Sequence, residues 1–181
     1  MQTTLTLIAA PPALSPGGYV ARAYADHVSP ETAQVELAVS ERGGVWDVAL
    51  AWKTDAPVTK LDGDPTAFVD AAALLVPTTE AAQALSMGAP TDPVEGALWR
   101  ADHERLLRIS ACGLGSVERR DAPEDWRAEA EWKKGLWRLH YTLAGWSALD
   151  RFRRLAVAVW QGARHERAGL KSVSAGWISV S

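Results

Sequence analysis

Two neighbouring runs of this chain alternate with a period of two, and that pattern restricts the fold more than any other feature. In Thr32–Ser40 the residues Val35, Leu37 and Val39 fall on one face, with Gln34, Glu36 and Ala38 on the other. In Val45–Lys53 the residues Trp46, Val48, Leu50 and Trp52 share a face in the same way. A period of two places successive side chains on opposite sides of a strand, whereas a helix would spread these residues around its axis. The intervening E-R-G-G supplies turn residues, so the two runs predict a β-hairpin.

Further strand candidates are Phe68–Val76, Gly96–Ala101, Arg105–Cys112, Ala128–Lys133, Leu136–Leu143, Phe152–Trp160 and Ser172–Val180. Phe68–Val76 (F-V-D-A-A-A-L-L-V) is almost entirely apolar, which suits a strand covered on both faces. In Leu136–Leu143 the pattern buries Trp137, Leu139, Tyr141 and Leu143 and exposes Arg138, His140 and Thr142. Short helices are expected after Thr78, through E-A-A-Q-A-L, and at Asp121-Ala122-Pro123-Glu124. The chain therefore reads as mainly β: an antiparallel β-sandwich of about nine to ten strands with a few short helices. Residues 1–18 read as an N-terminal leader, loose across Ala10–Gly18, and residues 19–181 as a single domain.

Composition narrows the function classes. A formal charge of -3 without a long basic run argues against nucleic acid or anionic lipid as the main partner. No apolar run reaches membrane-spanning length. Cys112 is the only cysteine, which excludes an intrachain disulfide, a thiolate metal cluster and paired-cysteine attachment of a cofactor. The N-terminus lacks the basic stretch of an export signal. Hydrolase and nucleotide motifs are absent: there is no G-x-S-x-G, no H-E-x-x-H and no glycine-rich phosphate loop. The histidines His27, His103, His140 and His165 are scattered, and no two stand at metal-ligand spacing. The carboxylate pairs Glu124/Asp125 and Asp62/Asp64 lie in turn-like stretches, where solvated charge explains them.

Two residues stand out. Lys171 is one of five lysines against fourteen arginines, and it sits at the root of the last apolar strand, after a charged loop that breaks at Gln161-Gly162. Taken alone, it fits either an edge-strand lysine snorkelling to solvent or a buried functional amine. Met87 is the only methionine after Met1 and lies in the Gly/Pro loop S-M-G-A-P-T-D-P. A thioether there either tucks under its own loop or is aimed inward as a ligand.

The segments F-V-D-A-A-A-L-L-V-P, S-M-G-A-P, G-A-L-W-R-A-D and A-V-W-Q-G-A-R-H-E-R-A-G-L-K-S-V-S-A-G-W, taken in order, resemble the haem b-binding gamma subunit of molybdenum oxidoreductases of the ethylbenzene dehydrogenase and dimethylsulfide dehydrogenase type, within the dimethyl sulfoxide reductase family. The resemblance runs from about Val45 to the C-terminus. It departs from the pattern at Ala89, where an acidic residue is frequent, and at Ala168, where a second glycine is common. It implies a β-sandwich holding one non-covalent haem b between a methionine and a lysine, at the positions of Met87 and Lys171. The implied role is electron transfer without substrate chemistry. The implied partners are a molybdopterin-containing alpha subunit and an iron–sulfur beta subunit in a heterotrimer, with a soluble cytochrome or similar external carrier, in the periplasm.

Such ligation has stated chemical requirements. A thioether ligand raises the reduction potential, and an amine binds metal only when neutral. Bringing a lysine from an unperturbed pKa of about 10.4 to neutrality at pH 7 costs roughly 4.6 kcal/mol, which an apolar pocket and competition from iron can offset. Haem propionates need donors at the pocket mouth, and Arg100, Arg164 and Arg167 are candidates by position. The rival from another class is a haem-free, tryptophan-rich sandwich binding carbohydrate or protein on exposed aromatic platforms. A second rival keeps the fold as a scaffold subunit without haem.

Overall fold

The structure is a computed structural model and describes residues 1–11, 28–61, 63 and 67–181. The strands are β1 (Gln2–Ala9), β2 (Gln34–Arg42), β3 (Val45–Lys53), β4 (Ala71–Pro77), β5 (Val94–Arg100), β6 (Leu107–Ala111), β7 (Glu118–Asp121), β8 (Arg127–Lys133), β9 (Leu136–Ala144), β10 (Arg154–Trp160), β11 (Ser172–Ser174) and β12 (Ile178–Ser179). Among the described residues one α-helix, α1 (Ser147–Phe152), precedes β10. Eleven strands form one continuous sheet in the order β7-β6-β5-β4-β10-β11-β1-β2-β3-β9-β8, with β12 paired to β10 beside this path. The antiparallel, mainly β architecture is as the alternation predicts.

The sheet curls over on itself, and β1 makes the turn possible. Its first residues, Gln2–Thr6, pair with β2, and its last, Leu7–Ala9, pair with β11, so one strand passes from one layer to the other. Within residues 1–18, read from the sequence as a leader, the structure describes a strand. Gln2–Ala9 is an interior strand of the sheet, and its T-T-L-T-L run gives too little alternation in burial to announce it. Residues 12–18 of that leader lie outside the described residues.

The layer β2-β3-β9 packs its apolar face against β4 and β5. Trp52, Trp99 and Trp137 meet there with ring centroids 5.1 to 6.2 Å apart, and the Tyr141 hydroxyl donates to the Ala72 carbonyl at 2.9 Å. Alternation in β4 then has a consequence for the opposite face. Ala72, Leu74 and Val76 enter this main core, while Ala71, Ala73 and Leu75 turn outward into a second cluster with Ala82, Ala84, Met87, Ala156 and Ala158. That second cluster is rich in alanine, and short side chains leave room above the sheet.

Several other expectations are corrected. The segment after Thr78 forms turns rather than a helix, because Thr78 and Thr79 spend their hydroxyls on the far end of the same loop, Pro93 O at 2.7 Å and Asp92 Oδ1 at 2.6 Å. Asp121–Glu124 is likewise no helix; Trp126 N closes a turn onto Pro123 O at 3.0 Å. The final strand breaks into β11 and β12 at Ala175–Trp177. Strand β7 and helix α1 carry no clear signal in the sequence: E-R-R-D has no apolar face, and α1 has only six residues.

Candidate functional site

Met87 is placed by a strained turn. Its φ of 55° is an uncommon conformation for a residue with a side chain. The residue is only 7% exposed. Hydrogen bonds hold it there from several sides: its N–H donates to Ala84 O at 3.0 Å, its carbonyl accepts from Gly113 N at 2.9 Å, and Gly88 N donates to Gln83 O at 2.9 Å. Gly88 is required at the next position, since its φ is 80° and a Cβ would lie 2.6 Å from the Asp92 carbonyl oxygen. Strain that the surroundings over-determine is characteristic of functional positions.

Lys171 reaches the same point from the other end of the chain. It lies at the head of β11, 8% exposed, and its carbonyl accepts from Ala10 N at 2.9 Å. Its Nζ stands 3.4 Å from Met87 Sδ and 5.2 Å from the centre of the Trp160 ring. Burial alone lowers the ammonium from 10.5 to about 8. The snorkelling reading of this lysine fails, because the amine points inward.

Together these two side chains form the floor of a cavity of about 500 Å³. Phe68, Val69, Ala71, Leu98, Ile109, Leu114, Val117 and Trp160 give it apolar walls. Behind the Met87–Lys171 contact lies a second hollow of about 20 Å³, lined by both residues and by Ala84, Leu85, Ala156 and Val173. The larger cavity falls within the range typical of small-molecule and cofactor pockets. A second depression of about 610 Å³ lies on the outer face of β2, β3 and β9, lined by Ala38, Ala49 and Ala51 and by the exposed side chains of Glu36, Glu129 and His140.

Of the three arginines expected as anion donors, the structure brings two to the cavity. Arg100 and Arg167 line it; Arg100 is held by Asp102 through two bonds of 2.8 and 2.9 Å, and Arg167 lies over the Phe68 ring at 4.9 Å. Arg164 points elsewhere, towards Glu31 at 3.9 Å and Asp55 at 3.8 Å, because a short 3-10 turn over Gly162–Arg164 aims it away. Arg119 lines the cavity in its place, from strand β7. Glu166 is the other charged residue that sequence reasoning missed. It is 3% exposed, and burial raises its carboxyl to about 7. Nothing in H-E-R distinguishes this glutamate from a solvated one.

His140 is exposed on β9 with Asp47 Oδ1 at 3.3 Å, and His27 lies outside the described residues, as do Asp62 and Asp64. Glu124 and Asp125 sit exposed in a turn. Among the described residues no cluster of histidine, cysteine and acidic side chains could hold a metal ion, and no helix is long and apolar enough to cross a membrane. Six of the nine tryptophans are buried and only Trp132 is exposed, at 37%, so among the described residues no platform of exposed tryptophans is presented.

The residues fit a haem by their chemistry. A thioether and an amine converge, apolar walls shield them, and cationic side chains stand at the rim. Met87 and Lys171 would be the residues to hold the iron, and for a haem to stand between them their 3.4 Å contact would have to open.

No protein-family model matches the chain. Its sequence is 35% identical over 159 residues to a protein of Haloferax mediterranei that carries the provisional name respiratory nitrate reductase heme subunit ORF7, an alignment that takes in 83% of this chain. The chain spans 56% of the length of that relative, and over that span a haem subunit is what it is similar to.

Proposed function

We propose that this chain is an electron-transfer subunit carrying one non-covalent haem b, with Met87 and Lys171 as its axial ligands. The observation that carries the reading is the convergence of Met87 Sδ and Lys171 Nζ, 84 residues apart in sequence, to 3.4 Å at the floor of an apolar cavity. Similarity to a protein named as a haem subunit supports the cofactor class independently of that geometry.

A haem bound there supplies one-electron transfer, at a potential that methionine ligation raises. The protein's own part begins at Nζ, where burial has already brought the amine to about 8. Releasing its proton at pH 7 then costs on the order of 1 kcal/mol, against about 5 kcal/mol for a solvated lysine. Met87 presents its sulfur from a turn locked by backbone hydrogen bonds, which limits the entropy lost on ligation. Arg100, Arg119 and Arg167 offer guanidinium donors to carboxylates at the cavity mouth. Phe68, Leu98, Ile109 and Trp160 keep water from the ligands.

In this reading the chain performs no substrate chemistry. It passes electrons between an iron–sulfur subunit and an external carrier such as a soluble cytochrome, beside a molybdopterin-containing subunit, and the complex works in the periplasm. The relative's name makes a respiratory nitrate reductase the first assembly to test.

The test is reconstitution of the purified chain with haemin. A Soret band and a b-type pyridine haemochrome are expected, and Met87→Ala and Lys171→Ala should each change the spectrum or lose the haem. An unchanged spectrum in both variants rejects the ligand assignment.

A further inference from the structure

A buried polar network adjoins the lysine and reaches the cavity wall at Glu166, and the electron-transfer reading does not use it. Glu166 Oε2 accepts the Gln161 N–H at 2.8 Å, and Oε1 accepts the Ser172 hydroxyl at 2.9 Å. The Ser172 oxygen in turn accepts Thr32 N at 3.0 Å. Gln161 extends the network, donating from Nε2 to Thr32 Oγ1 at 2.8 Å and to Glu31 O at 3.0 Å while accepting from Thr54 Oγ1 at 2.8 Å. One residue on, Gly162 N donates to Asp70 Oδ1 at 2.7 Å.

The carboxylate thus joins the residue just after β10 to the first residue of β11, closing the loop 161–172 at its neck. Successive side chains of a strand point to opposite faces. Ladders to β1 and β10, with the Ala10 N–H on the Lys171 carbonyl at 2.9 Å, set the backbone register of β11. The Glu166–Ser172 bond adds a side-chain tie at its head, on the face opposite Lys171, at the end of a loop that contains Ala168 at φ 48° and Gly169 and is held by the Arg167–Leu170 bridge and by Trp160 Nε1 donating to Ala168 O at 3.1 Å.

We propose that Glu166 is the positioning residue for Lys171: through Ser172 it clamps the head of β11 so that the lysine amine faces Met87 across the cavity floor. This rests on Lys171 being a haem ligand. The clamp requires a hydrogen bond at each end, and a glutamine at 166 can accept from Gln161 N through its oxygen and donate from its amide nitrogen to the Ser172 hydroxyl oxygen.

The test compares Glu166→Ala, Glu166→Gln, Ser172→Ala and Lys171→Ala in the full chain. Haemin affinity is read by Soret titration, and the ferric spin state by absorption and electron paramagnetic resonance. Partners standing behind a metal ligand typically contribute about 10–100-fold in affinity. Glu166→Ala is expected to lose affinity on that scale and to shift towards the high-spin spectrum of Lys171→Ala. Glu166→Gln is expected to restore both, which a purely structural loss would not predict. If Glu166→Ala keeps wild-type affinity and a low-spin spectrum while Lys171→Ala does not, the clamp is wrong and the ligand assignment stands. A folded Glu166→Gln that behaves like Glu166→Ala also overturns the clamp. Should Glu166→Ala not fold, Ser172→Ala removes the bond from β11 to Glu166 together with the one from Thr32 N, and unchanged haem binding there overturns the proposal. A wild-type spectrum in Lys171→Ala removes the ligand assignment and the clamp with it.

Discussion

Lys171 destabilises the haem-free chain by an amount that pH can reveal. Its ammonium is held at about 8 in the folded protein, against 10.5 when solvated, because burial disfavours the charge. Below pH 8 the penalty is present in full, roughly 3 kcal/mol at 1.36 kcal/mol per unit. Between about 8 and 10.5 the unfolded chain binds more protons than the folded one, so stability rises with pH across that window. Lys171→Met keeps the bulk and removes the charge. It should raise the stability of the haem-free protein at pH 7 by up to roughly 3 kcal/mol, with the difference from wild type shrinking as the pH approaches 10.5. Urea unfolding at pH 7 and pH 10 reads this directly, and a constant difference between the two would show that the amine is not held in the charged form by an unfavourable site. Met87 carries a matching cost in conformation: its side chain sits at a φ of 55°, where a glycine would be relaxed.

At the scale of the element, the turn after β10 decides where the cavity wall stands. A Cβ on Gly162 would overlap the carbonyl oxygen of Phe68, a residue of that wall, so the two backbones touch only because the side chain is absent. Gly162→Ala is expected to destabilise the fold by about 1–3 kcal/mol, as overpacking does, and to lower haem affinity together with melting temperature. Thermal unfolding with and without haemin checks both, and an unaltered melting temperature would show that the contact yields freely. The strands themselves are legible in the sequence. Burial in β2, β3 and β9 alternates as their side chains do, and β4 is buried along its whole length as its apolar run requires. The loop carrying Met87 looks helical in sequence because Thr78 resembles an N-cap, and only the distant partners Asp92 and Pro93 show what its hydroxyl and that of Thr79 do.

Across the whole molecule, the two layers are joined by polar bonds inside an apolar core. Trp137 Nε1 donates to Asp70 Oδ2 at 2.8 Å and Tyr141 to Ala72 O at 2.9 Å, each linking β9 to the segment at or just before β4. Tyr141→Phe should cost about 1 kcal/mol, the net worth of one buried hydrogen bond, measured by denaturant unfolding. It should leave haem binding unchanged, since Tyr141 packs on the face of β4 opposite the cavity; a lost Soret band would show that the layers and the site are coupled. By itself the sequence determined the period-two strands, the antiparallel class and the two unusual residues, because these depend on side-chain alternation and on scarcity within the chain. The tertiary structure alone decided that β1 bridges the layers, that Arg119 replaces Arg164 at the rim, and that Glu166 lies buried behind β11. Each of these depends on pairing between segments far apart in the chain, where local pattern carries no signal.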